Sequence, residues 1–163
     1  MSVTASAALL CLVLTVQDGD SLRVRCDNAP SDSPPISVRI HAIDAPEAGQ
    51  AYGRRARQAL REKVYRHVVA LRCVDTDPYG RQVCQVLKPA PKGQPDEDVG
   101  LSMVQQGWAW WYRQYAKAQS PADRQRYEDA ETSARASGAG LWVEGEQAMP
   151  PWRWRQMKRR GGA

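Results

Sequence analysis

An α+β fold, a small closed β-barrel of five strands with three α-helices, is what this sequence predicts, and three observations lead to it. Two stretches of strand composition meet at Asp18-Gly19, a dipeptide that favours the tight turn of a hairpin. A second pair of apolar, β-branched stretches flanks a polar turn at residues 75–80. Between the two units lies one run of helical periodicity, with Ala56, Ala59, Leu60 and Val64 on a single face.

Residues 9–16 are apolar and partly β-branched, which predicts a buried first strand. Residues 21–26 return as the second, with Leu22, Val24 and Cys26 inward and Arg23 and Arg25 outward. Residues 27–35, with three prolines among polar residues, form a loop. The third strand covers 36–43, with Val38 and Ile40 on one face and Arg39 and His41 on the other. It breaks at Ala45-Pro46, because proline fixes its own φ and drives the preceding residue out of the helical region.

A helix over 52–65 follows, its remaining surface covered by Arg54, Arg55, Arg57, Arg61, Lys63 and Arg66, which reads as solvated surface. Strands at 68–74 and 81–87 form the second hairpin, and the proline-rich stretch 88–97 is an exposed loop. A short helix over 98–106 turns Val99, Met103 and Val104 inward and stops at Gly107. Trp108, Trp110, Trp111, Tyr112 and Tyr115 read as packing residues rather than a base-stacking platform. Ser120-Pro121-Ala122-Asp123 opens the third helix with a capping box and a first-turn proline, and Gly138 closes it. Leu141-Trp142 then tucks back onto the body. Three strands, a helix and a hairpin in that order make an OB-type barrel. Residues 1–143 form the domain, and 144–163 a loosely attached Trp/Arg-rich tail with a disordered basic end.

Composition narrows the class. A chain of 163 residues is long enough to bury a core, and no apolar run approaches the ~20 residues needed to cross a bilayer. The net charge of +5 is carried entirely by the five basic residues of 152–163, leaving residues 1–151 near neutral. A generally basic, polyanion-coating surface is therefore excluded, and attraction of a polyanion rests on local clusters. Residues 5–16 have the apolar character of a signal-peptide core, but residues 1–14 contain no Lys or Arg. The run is read instead as the first strand of a mature chain. Cys11, Cys26, Cys73 and Cys84 include no C-x-x-C pair, and His41 and His67 are isolated, which argues against zinc. Four cysteines allow three disulfide pairings, in one of which Cys73 and Cys84 face each other across a hairpin; four reduced, buried thiols are the competing reading.

Chemistry gathers at strand ends. Asp18-Gly19-Asp20-Ser21 sits in the first turn, Arg39, Asp44 and Glu47 around the break after the third strand, and Asp77-Pro78-Tyr79-Gly80-Arg81 in the second hairpin turn. Three carboxylates (Asp20, Asp44 and Glu47) with two arginines suit a metal-assisted attack on a phosphodiester. A hard cation takes oxygen ligands, a carboxylate fixes or deprotonates water, and forked guanidiniums match the oxygens on which charge grows.

These segments, with 101–109 and 130–142, resemble the signature segments of the staphylococcal nuclease (thermonuclease) family over about residues 9–142. The resemblance implies a five-stranded OB-fold barrel with three helices, and Ca²⁺-dependent cleavage of DNA and RNA with little sequence specificity, leaving 3′-phosphate ends. It implies calcium held by the Asp20 and Asp44 carboxylates and the Ala45 backbone carbonyl, with Asp18 acting through water. It further implies that Arg39 and Arg81 hold the phosphate, Glu47 acts on the attacking water, and Tyr79 and Tyr115 line the nucleotide pocket. Ala45 and Ser21 replace threonines usual in well-known members. Pro78 replaces a lysine, and the connection after Glu47 lacks a longer lysine-bearing loop, removing two basic contacts to a terminal phosphate. Residues 150–155 resemble the endings of bacterial members, their tryptophans read as packing on the barrel, with delivery of cations to a single strand as the other reading. The expected protein is a monomeric, periplasmic or secreted nuclease acting on DNA and RNA, single strands preferred, without a membrane partner. A catalytically silent nucleic-acid-binding or interaction module of the same fold is the competing reading.

Overall fold

The computed structural model describes residues 8–161; the part of the first-domain reading that falls on residues 1–7 lies outside the described residues. Strands β1 (Leu9–Asp18), β2 (Ser21–Cys26), β3 (Ile36–Ile40), β5 (Val68–Thr76) and β6 (Gln82–Lys88) close into the expected five-stranded barrel. β4 is the two-residue strand Ile43–Asp44 that follows β3. The order β3-β2-β1-β5-β6 is antiparallel throughout, and closure comes from a parallel pairing of β3 with β6 in which Arg39 lies beside Val83. Closure leaves this sheet no long open edge, which is how small barrels avoid edge-to-edge association.

The expected helices form as α1 (Gly53–Val64), α2 (Val99–Gln105) and α3 (Pro121–Ser137). Ala56, Leu60 and Val64 of α1 and Val99, Met103 and Val104 of α2 are fully buried against Val13, Leu22, Val24, Val38 and Ile40 of the barrel. Burial of each large aliphatic side chain is worth about 1.5–3 kcal/mol. Ser120 Oγ accepts from the Asp123 amide at 3.1 Å and Pro121 is the first residue of α3, as the capping box requires. Asp98 ends β7 (Glu97–Asp98), caps α2 and accepts the Tyr127 hydroxyl at 2.9 Å, tying α2 to α3.

Three readings are corrected. The first strand is half-buried rather than buried. Cys11 and Val13 point inward and Leu10 and Leu12 outward, until irregular register between Val13 and Thr15 brings Val16 back into the core. The aromatic stretch contributes a short strand of its own, β8 (Trp110–Trp111), which pairs with β4 so that Asp44 lies opposite Trp110. The loosely attached, disordered tail is instead a fourth helix, α4 (Pro151–Gly161). Pro151 opens this helix, and proline suits the first helical position. Pro151 is buried, and Trp152 stacks on Tyr112 and meets Trp110 edge-on at 5.3 Å, so the packing expected of that tryptophan occurs. Lys158, Arg159 and Arg160 crowd the last turn, where cations favour the helix dipole. Among the described residues no helix is long and apolar enough to cross a membrane.

Two disulfides, Cys11–Cys26 and Cys73–Cys84, resolve the pairing the sequence left open. Each joins directly opposed residues of one hairpin, β1–β2 or β5–β6. The first closes a separation of 15 residues and the second one of 11. Cross-links of this span stabilise by about 3 kcal/mol each through the unfolded chain. Denaturant titration with and without a strong reductant should show the midpoint fall, with Cys11→Ala/Cys26→Ala and Cys73→Ala/Cys84→Ala each losing part of the effect.

Candidate active site

The β1–β2 turn, the β3–β4 break and the loop before α1 converge at one end of the barrel, and backbone pairing fixes them there. The Ile40 amide donates to the Asp20 carbonyl at 2.8 Å, and the Tyr112 amide to the Ala42 carbonyl at 2.8 Å. Ala42, at φ 73°, lies in the left-handed region that ordinary residues avoid, and reverses the chain between β3 and β4. Asp20 and Asp44 thereby come to lie on either side of the Arg39 guanidinium, at 3.4 and 3.5 Å. Asp20 Oδ2 also accepts from the Ala45 amide at 2.7 Å, so the first turn and the β4 end are bonded directly.

Two glycines allow this closeness. A Cβ on Gly19 would lie 2.7 Å from the Ala45 Cβ and 2.8 Å from that of Ala56, so the turn could not nestle between β4 and α1. A Cβ on Gly53 would lie 1.9 Å from the Glu47 carbonyl oxygen, which would push the Glu47 loop outward.

Charge is heavily buried here. Asp44 is 1% exposed, Asp20 and Arg39 6% each. Burial pushes the Asp20 carboxyl well above the usual carboxylate range, against the pull of Arg39. Burial likewise opposes charge on Arg39, but Asp20 and Asp44 outweigh it and raise its pKa. Asp18 behaves oppositely to Asp20: burial raises it, yet hydrogen bonds from Asp20 and from Ser21 Oγ at 2.6 Å hold it below its ordinary value.

A residue that sequence reasoning left in the tail completes the cluster. Arg155, on α4, donates from Nη1 to Glu47 Oε1 at 2.7 Å and to Asp44 Oδ1 at 3.1 Å, and from Nη2 to Asp44 Oδ2 at 2.8 Å. The hydrogen bond to Asp44 is the main influence holding its own proton more tightly, with partial burial opposing it. The available signal was spacing, since Trp152 and Arg155 stand three apart and share a helical face. Gln50 was also missed. Its Oε1 accepts from the Glu47 amide at 3.1 Å and its Nε2 donates to the Met149 carbonyl at 2.6 Å, joining the Glu47 loop to the segment that leads into α4. Glu131 was missed as well. It is buried in α3 and accepts the Trp111 amide at 2.7 Å, anchoring β8 and through it Asp44.

The remaining sequence candidates lie further out. Arg81 is held by Asp77, which accepts Arg81 Nε at 2.6 Å and the Arg81 amide at 2.9 Å. Tyr79 projects into solvent at 85% exposure, with the Arg81 guanidinium 5.6 Å from its ring centre. Tyr115 is partly buried, edge-on to His41 and Tyr112. Asp20, Asp44, Arg39, Glu47 and Asp18 are thus gathered, whereas Arg81, Tyr79 and Tyr115 form the surroundings.

Among the described residues no three acidic, histidine or cysteine side chains stand close enough to form an ion site by themselves. The donor set nonetheless fits a hard cation. It is all oxygen, and the Asp44 and Glu47 carboxylates converge on one positive group, the Arg155 guanidinium, which stands in for a cation.

Residues 37–144 match the family profile described as staphylococcal nuclease homologue. The chain is 40% identical over 159 residues to a micrococcal nuclease of Shigella flexneri, covering 96% of this chain and 86% of that protein. It is 38% identical over 147 residues to the protein ParB of Escherichia coli, covering 88% and 77%. An uncharacterized endonuclease of Haemophilus influenzae is 33% identical over 149 residues, covering 91% and 74%.

The raised Asp20 pKa gives a pH prediction. A carboxyl whose folded pKa exceeds its unfolded one contributes stability below the unfolded value and loses it as pH rises through the folded value. In excess chelator, Asp20→Asn should therefore gain stability over the parent as pH rises from 4 to 7, the difference vanishing below ~pH 4. Thermal unfolding across that range reads it.

Proposed function

The chain belongs to the staphylococcal nuclease family and is a nuclease acting on nucleic acid; from that premise we propose that it hydrolyses phosphodiester bonds of DNA and RNA with calcium as cofactor, with little sequence preference, and leaves 3′-phosphate ends. The observation that carries this reading is the buried cluster of Asp20, Asp44 and Arg39 with the partly exposed Glu47 joined to it through Arg155, in which acids and guanidiniums are concentrated at one end of a rigid barrel.

In this proposal Asp20, Asp44 and the Ala45 carbonyl hold the cation, with Asp18 supporting through water. The bound cation supplies polarisation of the phosphoryl oxygen and orientation of a water. Everything else falls to the chain. Arg39, locked by both aspartates, presents its guanidinium where the scissile phosphate enters, and costs no reorganisation as charge grows on the phosphoryl oxygens. Glu47 is 37% exposed at its side chain, so it reaches water while its backbone is fixed by Gln50. It takes the proton of the attacking water or fixes its orientation. Arg81, braced by Asp77, adds a second fork to the phosphate, and Tyr79 and Tyr115 contact the nucleotide.

Two buried aspartates around one guanidinium are a costly arrangement for a purely structural role, because well-packed apolar residues would serve as well. That argues for catalysis over a silent binding module. Two cross-strand disulfides favour an oxidising compartment, which supports a periplasmic or secreted location. Single-stranded substrate and a monomeric state complete the proposal.

Digestion of single-stranded DNA and RNA with calcium, and again in excess chelator, tests it. Cleavage should need calcium, and Glu47→Ser and Arg39→Gly should each lower kcat by about 10²-fold or more. Glu47→Ser should do so with folding unchanged, whereas Arg39→Gly, which leaves two buried aspartates without their shared guanidinium, should also lower the unfolding midpoint. End-labelling of the products should show 3′-phosphates. Equal cleavage by parent and Glu47→Ser would sink the mechanism.

A further inference from the structure

Beside the acid cluster, α4 and the segment after β8 enclose an open cavity of about 440 Å³. Arg113, Arg155 and Arg159 line it together with Tyr112, Trp152 and Gln156, and no carboxylate contributes to its wall. None of Arg39, Arg81, Tyr79 or Tyr115 lines it, so it is a different place from the pocket assigned above.

Its chemistry is specific. Three guanidiniums line it: Arg113 pairs with Glu131 and Arg155 with Asp44 and Glu47 behind the wall, which leaves Arg159 as the lining guanidinium available to an anion, and forked donors suit phosphate. Arg159 is exposed and has no ion-pair partner among the described residues, so its charge is available to a ligand. Arg113 is anchored at 3.3 Å by buried Glu131 and lies over the Trp111 ring, which sets its direction in advance. Tyr112 and Trp152 lie nearly parallel, 23° apart with ring centres 5.6 Å apart, and give the cavity an aromatic wall. Cationic walls with aromatic rings are the combination that holds single-stranded nucleic acid. A volume of this size lies within the range of small-molecule sites and accommodates one nucleotide unit.

Continuity with the active site decides the ligand. Arg155 belongs to both places, lining the cavity while its guanidinium reaches Asp44 and Glu47. We propose that this cavity is a subsite for one nucleotide unit of a single strand, next to the bond that is cut, with Arg113 and Arg159 taking its phosphate. The proposal rests on the nuclease reading, and it makes α4 part of the substrate groove.

Binding in excess chelator, where a calcium-dependent enzyme does not cut, separates the two. Fluorescence anisotropy of a labelled hexathymidylate would be measured with the full chain and three variants. Arg159→Ala should weaken binding about tenfold, Gln156→Ala by a smaller factor, and Arg153→Ala, an exposed arginine of the same helix that does not line the cavity, by less than twofold. In calcium, Arg159→Ala should raise KM for the hexamer several-fold more than KM for a dinucleotide, which lacks the further phosphate that Arg159 would take. Equal weakening by Arg153→Ala and Arg159→Ala would reduce the effect to general charge attraction and overturn the subsite, as would Arg159→Ala binding like the parent. A parent that binds the strand through Arg159 but never cuts it would refute the nuclease reading and leave the subsite standing.

Discussion

Two aspartates buried on either side of one guanidinium constrain everything around them. An unpaired carboxylate taken from water costs several kcal/mol, and Asp20 and Asp44 are almost completely covered. Arg39 offsets that cost only if its position is held, and the barrel holds it. β3 is clasped by β2 on one side and by the parallel partner β6 on the other, with Ser21 and Val83 as the direct neighbours of Arg39. The closure that removes the open edge of the sheet therefore also fixes the group that keeps the acids in place. The Ala45 amide adds a bond from the opposite wall. Polarity at the barrel end and apolarity inside it are two outcomes of one strand arrangement.

The disulfides fit this scheme. Cys11–Cys26 and Cys73–Cys84 each cross one of the two hairpins, and the turns of those hairpins carry Asp18–Asp20 in one case and Asp77–Arg81 in the other. Cross-linking the hairpin strands restrains the registers on which the turn positions depend. β3 and its break lie between the hairpins and carry no cysteine; there the work falls to the hydrogen bond from the Tyr112 amide to the Ala42 carbonyl and to the pairing of β4 with β8. Glu131 reinforces that second clasp from α3, its carboxylate held between Arg113 and Arg135.

What could be read from sequence and what could not divides along sequence distance. Asp18-Gly19-Asp20 announced a turn because its chemistry is local; Ala45-Pro46 marks the end of β4, but the strand expected over 36–43 already breaks after Ile40, at Ala42, a residue type that gives no turn signal. Alternation in 21–26 and the stripe of α1 are local periodicities, and the structure carries both. The gathering of Asp20, Asp44 and Arg39 followed from the order of the segments together with their resemblance to a known family. Arg155 had neither support. It meets Glu47 across 108 residues and Asp44 across 111, from a segment read as a loosely attached tail. Gln50 was hidden similarly, since its partner Met149 is 99 residues away. The irregular register of β1 went unseen because its residue types are compatible with either face.

Arg155 also explains why the cluster tolerates its own charge. Arg39 alone leaves Asp44 sharing one guanidinium with Asp20, at distances near the limit of a hydrogen bond. Arg155 supplies the short, two-pronged contact that Asp44 otherwise lacks and spans to Glu47 with the same group. Lysine could not do this, because an ammonium is a compact charge without the planar fork. The arginine side chain is 36% exposed and Glu47 37%, but Asp44 only 1%, so the Glu47 end of the contact lies at the rim and the Asp44 end is covered. A buried guanidinium fixed in the barrel and a second one delivered from the surface by a docked helix therefore have different tasks. The first is part of the barrel itself, and the second is brought to the same carboxylates by α4.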